Sequence, residues 1–327
     1  MPMHIEVTGL VKQYPLKAGL FARSKERVHA VNGISFSIPR GHTLGIVGES
    51  GCGKTTTGRL LLRVVEPDAG VFTFEGVENV FSLPEEELKK VRSRMQYIFQ
   101  DPYNSLNPKM LVRDIITEPI RYRGSFTRRE LDRKAKELLE HVGLSPSDAK
   151  KYPHEFSGGQ RQRISIARAL SSQPSFIVCD EPVSSLDVSI QSQILNLLID
   201  LQQELGITYL FIAHNLAVVF YMSDTLAVMY TGKIVEMGPS EELYRNALHP
   251  YTQLLIKTLD PEARKDPLVK NDSGEVPSLI HYPTGCTFYP RCPRRQSKCL
   301  LAFPPLETKG SEHQVACYFA GQELCSL

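Results

Sequence analysis

Gly48-Glu49-Ser50-Gly51-Cys52-Gly53-Lys54-Thr55 follows the apolar run Thr43-Leu44-Gly45-Ile46-Val47 and precedes residues 55–65, whose apolar positions fall at helical spacing. Strand, glycine-rich turn and helix is the context in which G-x-x-x-x-G-K-[ST] grips a phosphate. The glycines let successive backbone N–H groups close around an anion at the mouth of a helix. Gly48, Ser50, Gly51 and Gly53 then shape the loop, Lys54 reaches the β- and γ-phosphates, Thr55 coordinates Mg2+, and Thr56 adds a contact at the helix mouth. At average residue usage the pattern arises by accident in roughly one chain of this length in a hundred. The flanking strand and helix make accident rarer still.

A second apolar strand, Phe176-Ile177-Val178-Cys179, ends in Asp180-Glu181. Open α/β sheets bind their ligands at the carboxyl ends of their strands. Asp180 is placed to hold Mg2+, largely through water. Glu181 is placed to orient and polarise an attacking water, because phosphoryl transfer needs positioning and charge stabilisation more than covalent chemistry.

Bulk properties set the frame. The 327 residues suffice for one main α/β domain and an appendage. Hydrophobic residues at 42% and charged residues at 23% are ordinary globular usage, which excludes a disordered chain. Lys and Arg number 38 against 36 Asp and Glu, so a formal charge of +2 advertises no nucleic-acid partner. The first residues lack a basic segment followed by an apolar one, so a cytoplasmic protein is expected. The most apolar long stretch, residues 208–230, is interrupted by His214, Asn215, Ser223 and Asp224. Each would be costly in lipid, so the stretch reads as strand, loop, helix and strand, all buried.

Residues 4–11 and 30–38 alternate as strands of an antiparallel edge layer. Between about 100 and 170 the pattern turns helical, with Leu131, Ala135, Leu138, Leu139 and Val142 on one amphipathic face. Residues 175–179 and 208–213 return as strands, and a helix at roughly 188–204 makes the connection a parallel crossover. From Pro250 onward runs a tail of 78 residues with nine of the 22 prolines. Proline denies helices and central strands, so this tail is expected to be loop-rich and to need another staple.

Phe156-Ser157-Gly158-Gly159-Gln160-Arg161-Gln162-Arg163 is a second glycine turn running into a helix, hence a second anion-binding N-terminus. Here the chain resembles the ABC ATPase family, whose signature is L-S-G-G-Q, with Phe156 in place of the leading Leu. The resemblance covers about residues 4–250. It implies an α/β fold of the ABC P-loop type, with a mixed central sheet, an antiparallel β edge layer and a helical signature subdomain at about 101–170. It also implies that Ser157, Gly159 and Gln160 of one subunit cover ATP held by the P-loop of another. Gln100, after Tyr97-Ile98-Phe99, matches the Q-loop amide that touches Mg2+ or water and reports nucleotide state to a membrane partner. Ser185-Leu186-Asp187 matches the D-loop at the subunit interface. His214 matches the switch histidine on the γ-phosphate. Tyr14 resembles the aromatic that stacks on adenine, although the basic stretch 17–27 follows it.

Asp101-Pro102-Tyr103-Asn104-Ser105-Leu106-Asn107-Pro108 resembles the segment that faces the membrane subunit in dipeptide and oligopeptide permease ATPases. The tail resembles that branch as well, through His249-Pro250-Tyr251-Thr252, Gly274-Glu275-Val276-Pro277-Ser278 and Gly285-Cys286-Thr287-Phe288-Tyr289-Pro290-Arg291-Cys292-Pro293. The implied organisation is an ABC ATPase domain over residues 1–250 and a loop-rich, cysteine-containing extension over 251–327. The implied activity is ATP hydrolysis powering import of di- or oligopeptides. The implied partners are a second ABC ATPase subunit (a paralogue or the same chain), two transmembrane permease subunits and an extracytoplasmic substrate-binding protein. Its place would be the cytoplasmic face of the cell membrane, as a peripheral subunit.

Cys286, Cys292, Cys299 and Cys317 stand at C-x5-C-x6-C-x17-C and can supply four thiolates to one centre, which would help fold a tail without a core. In relatives this tail resembles a [4Fe–4S] motif. Spacing alone leaves an iron–sulfur cluster, Zn2+ and plain thiols open. Cys52 and Cys179 read as small packing residues, and Cys325 has no assigned role. Two other functions compete: an ABC ATPase acting on nucleic acid or ribosomes, and an importer ATPase for nickel or sugars. The first lacks the second cassette, coiled coil or basic patch that such proteins carry. A P-loop kinase leaves residues 156–160 unexplained.

Overall fold

The alternation at residues 4–11 and 30–38 becomes two longer strands, β1 (Met3–Pro15) and β2 (Arg27–Pro39). The structure is a computed structural model that describes residues 3–16, 26–121, 124, 126–259, 277–310 and 312–321. Most of the basic stretch 17–27, the triplet Gly274-Glu275-Val276 and Cys325 lie outside the described residues. The chain divides into two compact units, one of residues 39–42 and 82–211 and the other of the remaining described residues.

The chain begins in the latter unit. After β1 and β2 come β3 (Thr43–Val47), α1 (Lys54–Leu61) and β4 (Ala69–Phe74). One sheet runs β2-β1-β4, with β1 antiparallel to β4 and Ile5 opposite Phe74. Ile5 and Val7 are buried while Glu6 and Thr8 face out, as period-two patterning requires, and a register shift between Thr8 and Val11 lets Leu10 be buried too. Helix α1 stops short of residue 65. Arg63 takes a φ of 51°, which ends the helical path, and Val64 is left exposed.

Residues 82–211 form the other unit: α2 (Glu85–Arg92), β5 (Met95–Ile98), α3 (Pro102–Ser105), α4 (Val112–Arg121), α5 (Arg128–His141), α6 (Gly158–Leu170), β6 (Phe176–Asp180), α7 (Val188–Leu205) and β7 (Thr208–Ile212). Strand β5 pairs parallel with β6, Ile98 opposite Cys179, and β7 lies on the other side of β6. Helices α4, α5 and α6 bury Ile115, Ile116, Ala135, Leu138, Leu139, Val142, Ile164 and Ile166, the core that the amphipathic spacing predicts. Helix α5 starts at a capping box. The Thr127 hydroxyl accepts from the Glu130 N–H, and the Glu130 carboxylate accepts from the Thr127 N–H at 2.7 Å.

The chain then returns to the first unit through α8 (Leu216–Met222), β8 (Thr225–Tyr230), β9 (Lys233–Pro239), α9 (Ser240–Asn246), α10 (Pro250–Lys257), α11 (Lys298–Leu301), β10 (Glu307–Lys309) and β11 (His313–Val315). Its second sheet runs β10-β11-β9-β8-β3 and is mixed: β3 and β8 are parallel, and the other neighbours antiparallel. Residues 208–230 are strand, loop, helix and strand as read, but not buried throughout, since Tyr221 on α8 is 59% exposed. Among the described residues no helix is long and apolar enough to cross a membrane.

The tail is loop-rich, yet it contributes β10 and β11 to this sheet. Its anchor is Glu236, whose side chain is fully buried on β9. The carboxylate accepts from the N–H of Leu248 at 2.6 Å and of His249 at 3.1 Å, and lies 2.7 Å from Nε2 of His313 on β11. Burial pushes His249 down to about 4, so its neutral Nδ1 accepts from the Tyr251 N–H and caps α10.

Candidate active site

Strand β3 is buried along its whole length and delivers the chain into Gly48. A Cβ on Gly48 would lie 2.0 Å from the Met229 carbonyl oxygen, and one on Gly53, where φ is 110°, would lie 2.1 Å from that of Ala30. The loop is therefore wrapped closer to neighbouring backbone than any side chain permits. Helix α1 opens with no side-chain cap and no acidic residue in its first turn, so its donors and dipole are left to an anion. Lys54 is buried and curls back over the loop, donating to the carbonyls of Gly48 at 2.7 Å and Glu49 at 2.9 Å. Cys52 is also buried, as its packing role requires, and burial raises its thiol. Thr55 and Thr56 are half-buried at the mouth of the helix.

In the other unit the β5–β6 register does the placing. Ile98 opposes Cys179, so the residues just past the two strands emerge together at one edge. There Gln100 Nε2 donates to Glu181 Oε2 at 2.8 Å. Glu181 takes a φ of 49°, a conformation that costs a non-glycine residue about 1–2 kcal/mol and is tolerated mainly at functional positions. Asp180 is buried and accepts from the Tyr97 hydroxyl at 2.6 Å. Tyr97 is a candidate site residue that the sequence alone does not show. Its only signal is position, three residues before Gln100 on the strand beside Asp180. A neighbour that orients a metal-holding carboxylate typically carries a 10–100-fold effect on metal affinity. Tyr97→Phe is expected to raise the Mg2+ concentration for half-maximal ATPase about tenfold. A Mg2+ titration of the variant checks it.

The serine–glycine turn is a capping box. The Ser157 hydroxyl accepts from the Gln160 N–H, and the Gln160 side chain accepts from the Ser157 N–H at 3.0 Å. The S-x-x-Q spacing carries that signal. Gly159 has a separate reason to lack a side chain: its Cβ would lie 2.5 Å from Cγ2 of Ile190 on α7. The turn thus rests against the helix that Asp187 begins, and Asp187 and Val188 are both exposed there. In the first unit Tyr14 is exposed near the end of β1 with the Lys12 ammonium 5.5 Å from its ring centre, and His214 is exposed two residues past β7.

Cys286, Cys292, Cys299 and Cys317 are free thiols. Cys286 feels the charge of the other three, and its N–H donates to the Cys299 carbonyl at 2.7 Å, so the fold brings the four into one neighbourhood. Backbone N–H groups two residues on, those of Phe288, Arg294 and Phe319, point at the sulfurs of Cys286, Cys292 and Cys317. Among the described residues no three His, Cys, Asp or Glu side chains come close enough to grip one metal ion. Burial disfavours the thiolates of Cys286, Cys292 and Cys317. Desolvation, reinforced by the neighbouring thiols, pushes Cys286 up to about 12 and Cys292 up to about 11. An unfolded thiol ionises near pH 9, so the stability this burial implies is present below pH 9 and is lost as pH climbs toward 12. Alkylation of the metal-free tail is expected to accelerate over that window by more than thiolate formation in an unfolded peptide accounts for.

A triphosphate-gripping loop in the same chain as an adjoining acid and amide marks the P-loop ATPases. Residues 31–184 match the ABC transporter family, and residues 235–299 match the oligopeptide/dipeptide transporter C-terminal region. The oligopeptide transport ATP-binding protein AppF of Bacillus subtilis (strain 168) is 49% identical over 319 residues, covering 96% of this chain and 96% of its own. The chain belongs to the ABC transporter family, as an ATP-binding subunit of its oligopeptide/dipeptide branch. Among solved structures, the ATP-binding cassette MJ0796, a dimer bound to ADP and Pi, aligns with a TM-score of 0.64 and 26% identity over 72% of this chain and 98% of its own. The cbiO1 subunit of the cbiONQ ABC transporter complex from Clostridium perfringens aligns at 0.63 and 25% identity, over 80% of this chain and 97% of its own.

Proposed function

We propose that this chain hydrolyses ATP to power the import of di- or oligopeptides through an ABC transporter. The observation that carries the reading is the union in one chain of the ABC ATPase region with the oligopeptide/dipeptide transporter C-terminal region. Gly48, Ser50, Gly51, Gly53, Lys54, Thr55 and Thr56 hold the triphosphate, and Tyr14 stacks on adenine. Thr55, Asp180 and Gln100 each carry a hard oxygen donor suited to Mg2+. Mg2+ held there would offset the charge of the phosphates. Glu181 takes the proton of the attacking water, Gln100 holds Glu181 in place through their hydrogen bond, and His214 steadies the γ-phosphate. Ser157, Gly159, Gln160 and Asp187 act across a pair of ATPase subunits, which are two copies of this chain or this chain and a paralogue. The exposure of Asp187 and Val188 and the dimer formed by MJ0796 support that pairing.

Two transmembrane permease subunits and an extracytoplasmic substrate-binding protein complete the assembly, with this chain peripheral on the cytoplasmic face. Residues 1–250 serve as the ATPase domain and 251–327 as the branch-specific extension. Cys286, Cys292, Cys299 and Cys317 hold a [4Fe–4S] cluster, or else Zn2+. The gathered thiols and the three N–H groups aimed at sulfur support this, since such donors stabilise sulfur-bound clusters. When bound, the group cross-links a proline-rich tail. The test is co-expression with the permease subunits, followed by reconstitution. Peptide-stimulated release of ADP and phosphate is expected, and stimulation by DNA or RNA instead would overturn the reading.

A further inference from the structure

The segment between the first two cysteines is wound into consecutive turns, with the Tyr289 N–H donating to the Cys286 carbonyl, Arg291 to Phe288 and Cys292 to Tyr289. Phe288, at its centre, is fully buried against Tyr230 and Tyr251, both at 5.4 Å between ring centres. This aromatic cluster lies directly beneath the phosphate loop. The Tyr251 hydroxyl accepts from the Glu49 N–H at 3.0 Å, and burial holds that hydroxyl far above its usual range, so it stays protonated. From the same turn Arg291 extends over the rings of Tyr230 and Phe288, and its guanidinium forks onto the Glu49 carboxylate at 2.8 and 3.0 Å. The Arg291 side chain is 5% exposed and that of Glu49 29%, so the pair is largely shielded from water and salt.

Glu49 is the second residue of a loop built to attract a polyanion. An unpaired carboxylate there would repel the triphosphate it is meant to admit. A planar guanidinium matches a carboxylate at two points, fixing its direction as well as neutralising it. We infer that Arg291 is a positioning residue for ATP binding: it holds the Glu49 carboxylate turned away from the phosphates, so the cysteine-bearing tail sets the shape and charge of the P-loop. The inference rests on the reading of residues 48–55 as the phosphate site. It also makes affinity reciprocal, since whatever loosens the turn of residues 286–292 weakens ATP binding and bound ATP steadies that turn by the same factor.

The test is ATP affinity and steady-state ATPase of the full chain. Arg291→Met is expected to raise Kd and KM for ATP at least tenfold with kcat within threefold of wild type. Adding Glu49→Gln is expected to bring KM back to within about threefold, because the second change removes the charge the first exposed. A role confined to the stability of the tail would give no such rescue, and a KM that stays high in the double variant overturns the inference. So does an Arg291→Met chain that binds ATP as wild type does. Where Arg291→Met fails to fold, Arg291→Lys keeps the charge without the fork. It is expected to raise KM two- to tenfold, with the same rescue by Glu49→Gln, and an unchanged KM counts against the proposal. Lys54→Ala separates the two claims: if it also leaves affinity intact, the phosphate-site reading fails. If it abolishes binding while the Arg291 variants do not, only the positioning role falls.

Discussion

Glu181→Gln is expected to reduce ATP turnover at least 100-fold while the chain still retains nucleotide. The substitution keeps the volume and one accepting oxygen for the Gln100 amide, which donates at 2.8 Å, and removes only the basicity of the carboxylate. A positioned general base contributes roughly 10²–10⁴ to rate. The strained backbone at Glu181 makes compensation by movement costly, because the side chain is aimed by a φ of 49° that few neighbouring conformations share. Single-turnover release of phosphate gives the rate, and size-exclusion chromatography with ATP and Mg2+ gives the assembly. A slow variant that elutes as an ATP-bound dimer supports both the chemistry and the paired site. Hydrolysis within threefold of wild type removes Glu181 from its role.

Lys54→Ala is expected to act on binding instead. Lys54 is buried, and its ammonium is held in the loop by the carbonyls of Gly48 and Glu49. A charge-assisted hydrogen bond to a phosphate is worth about 1.5–3 kcal/mol, which converts to a loss of roughly 10- to 100-fold in ATP affinity. Equilibrium binding measures the loss, and the melting temperature without nucleotide separates it from a folding defect. If melting falls steeply while the affinity of the folded fraction is unchanged, Lys54 is a structural residue of the loop and not a phosphate ligand.

The parts of the site that the sequence discloses are those written in consecutive residues. The loop 48–55, the pair Asp180 and Glu181, and the turn 156–160 each carry their chemistry within a few positions, and each lies at the end of a strand or the start of a helix. Gln100 and His214 are single residues whose meaning comes only from the family pattern. Tyr97 and Arg291 escape both routes. Tyr97 meets Asp180 across 83 residues and Arg291 meets Glu49 across 242, and neither leaves a periodic or motif-like trace. The same limit holds for the fold. Alternation finds β1 and β2 but not their full length, because residues near strand ends are half exposed and stop alternating. Proline content points to loops in the tail, yet three residues without proline, His313 to Val315, suffice for β11 once a buried carboxylate waits on β9. The cysteines were legible as a group, while the burial that raises the thiols of Cys286, Cys292 and Cys317 was not.

Strand β9 has β8 on one flank and β11 on the other. Were the chain cut before residue 313, the outer flank of β9 would present unsatisfied amides and carbonyls beside a stranded Glu236 carboxylate, a template for stray strands from other molecules. Beyond β11 the sheet ends in β10, three exposed residues with Glu307 and Lys309 at its ends, a short charged border that discourages further addition. The last segment of the protein therefore keeps neighbouring copies from sticking together, and a shortened chain should precipitate before its ATPase activity can be assayed.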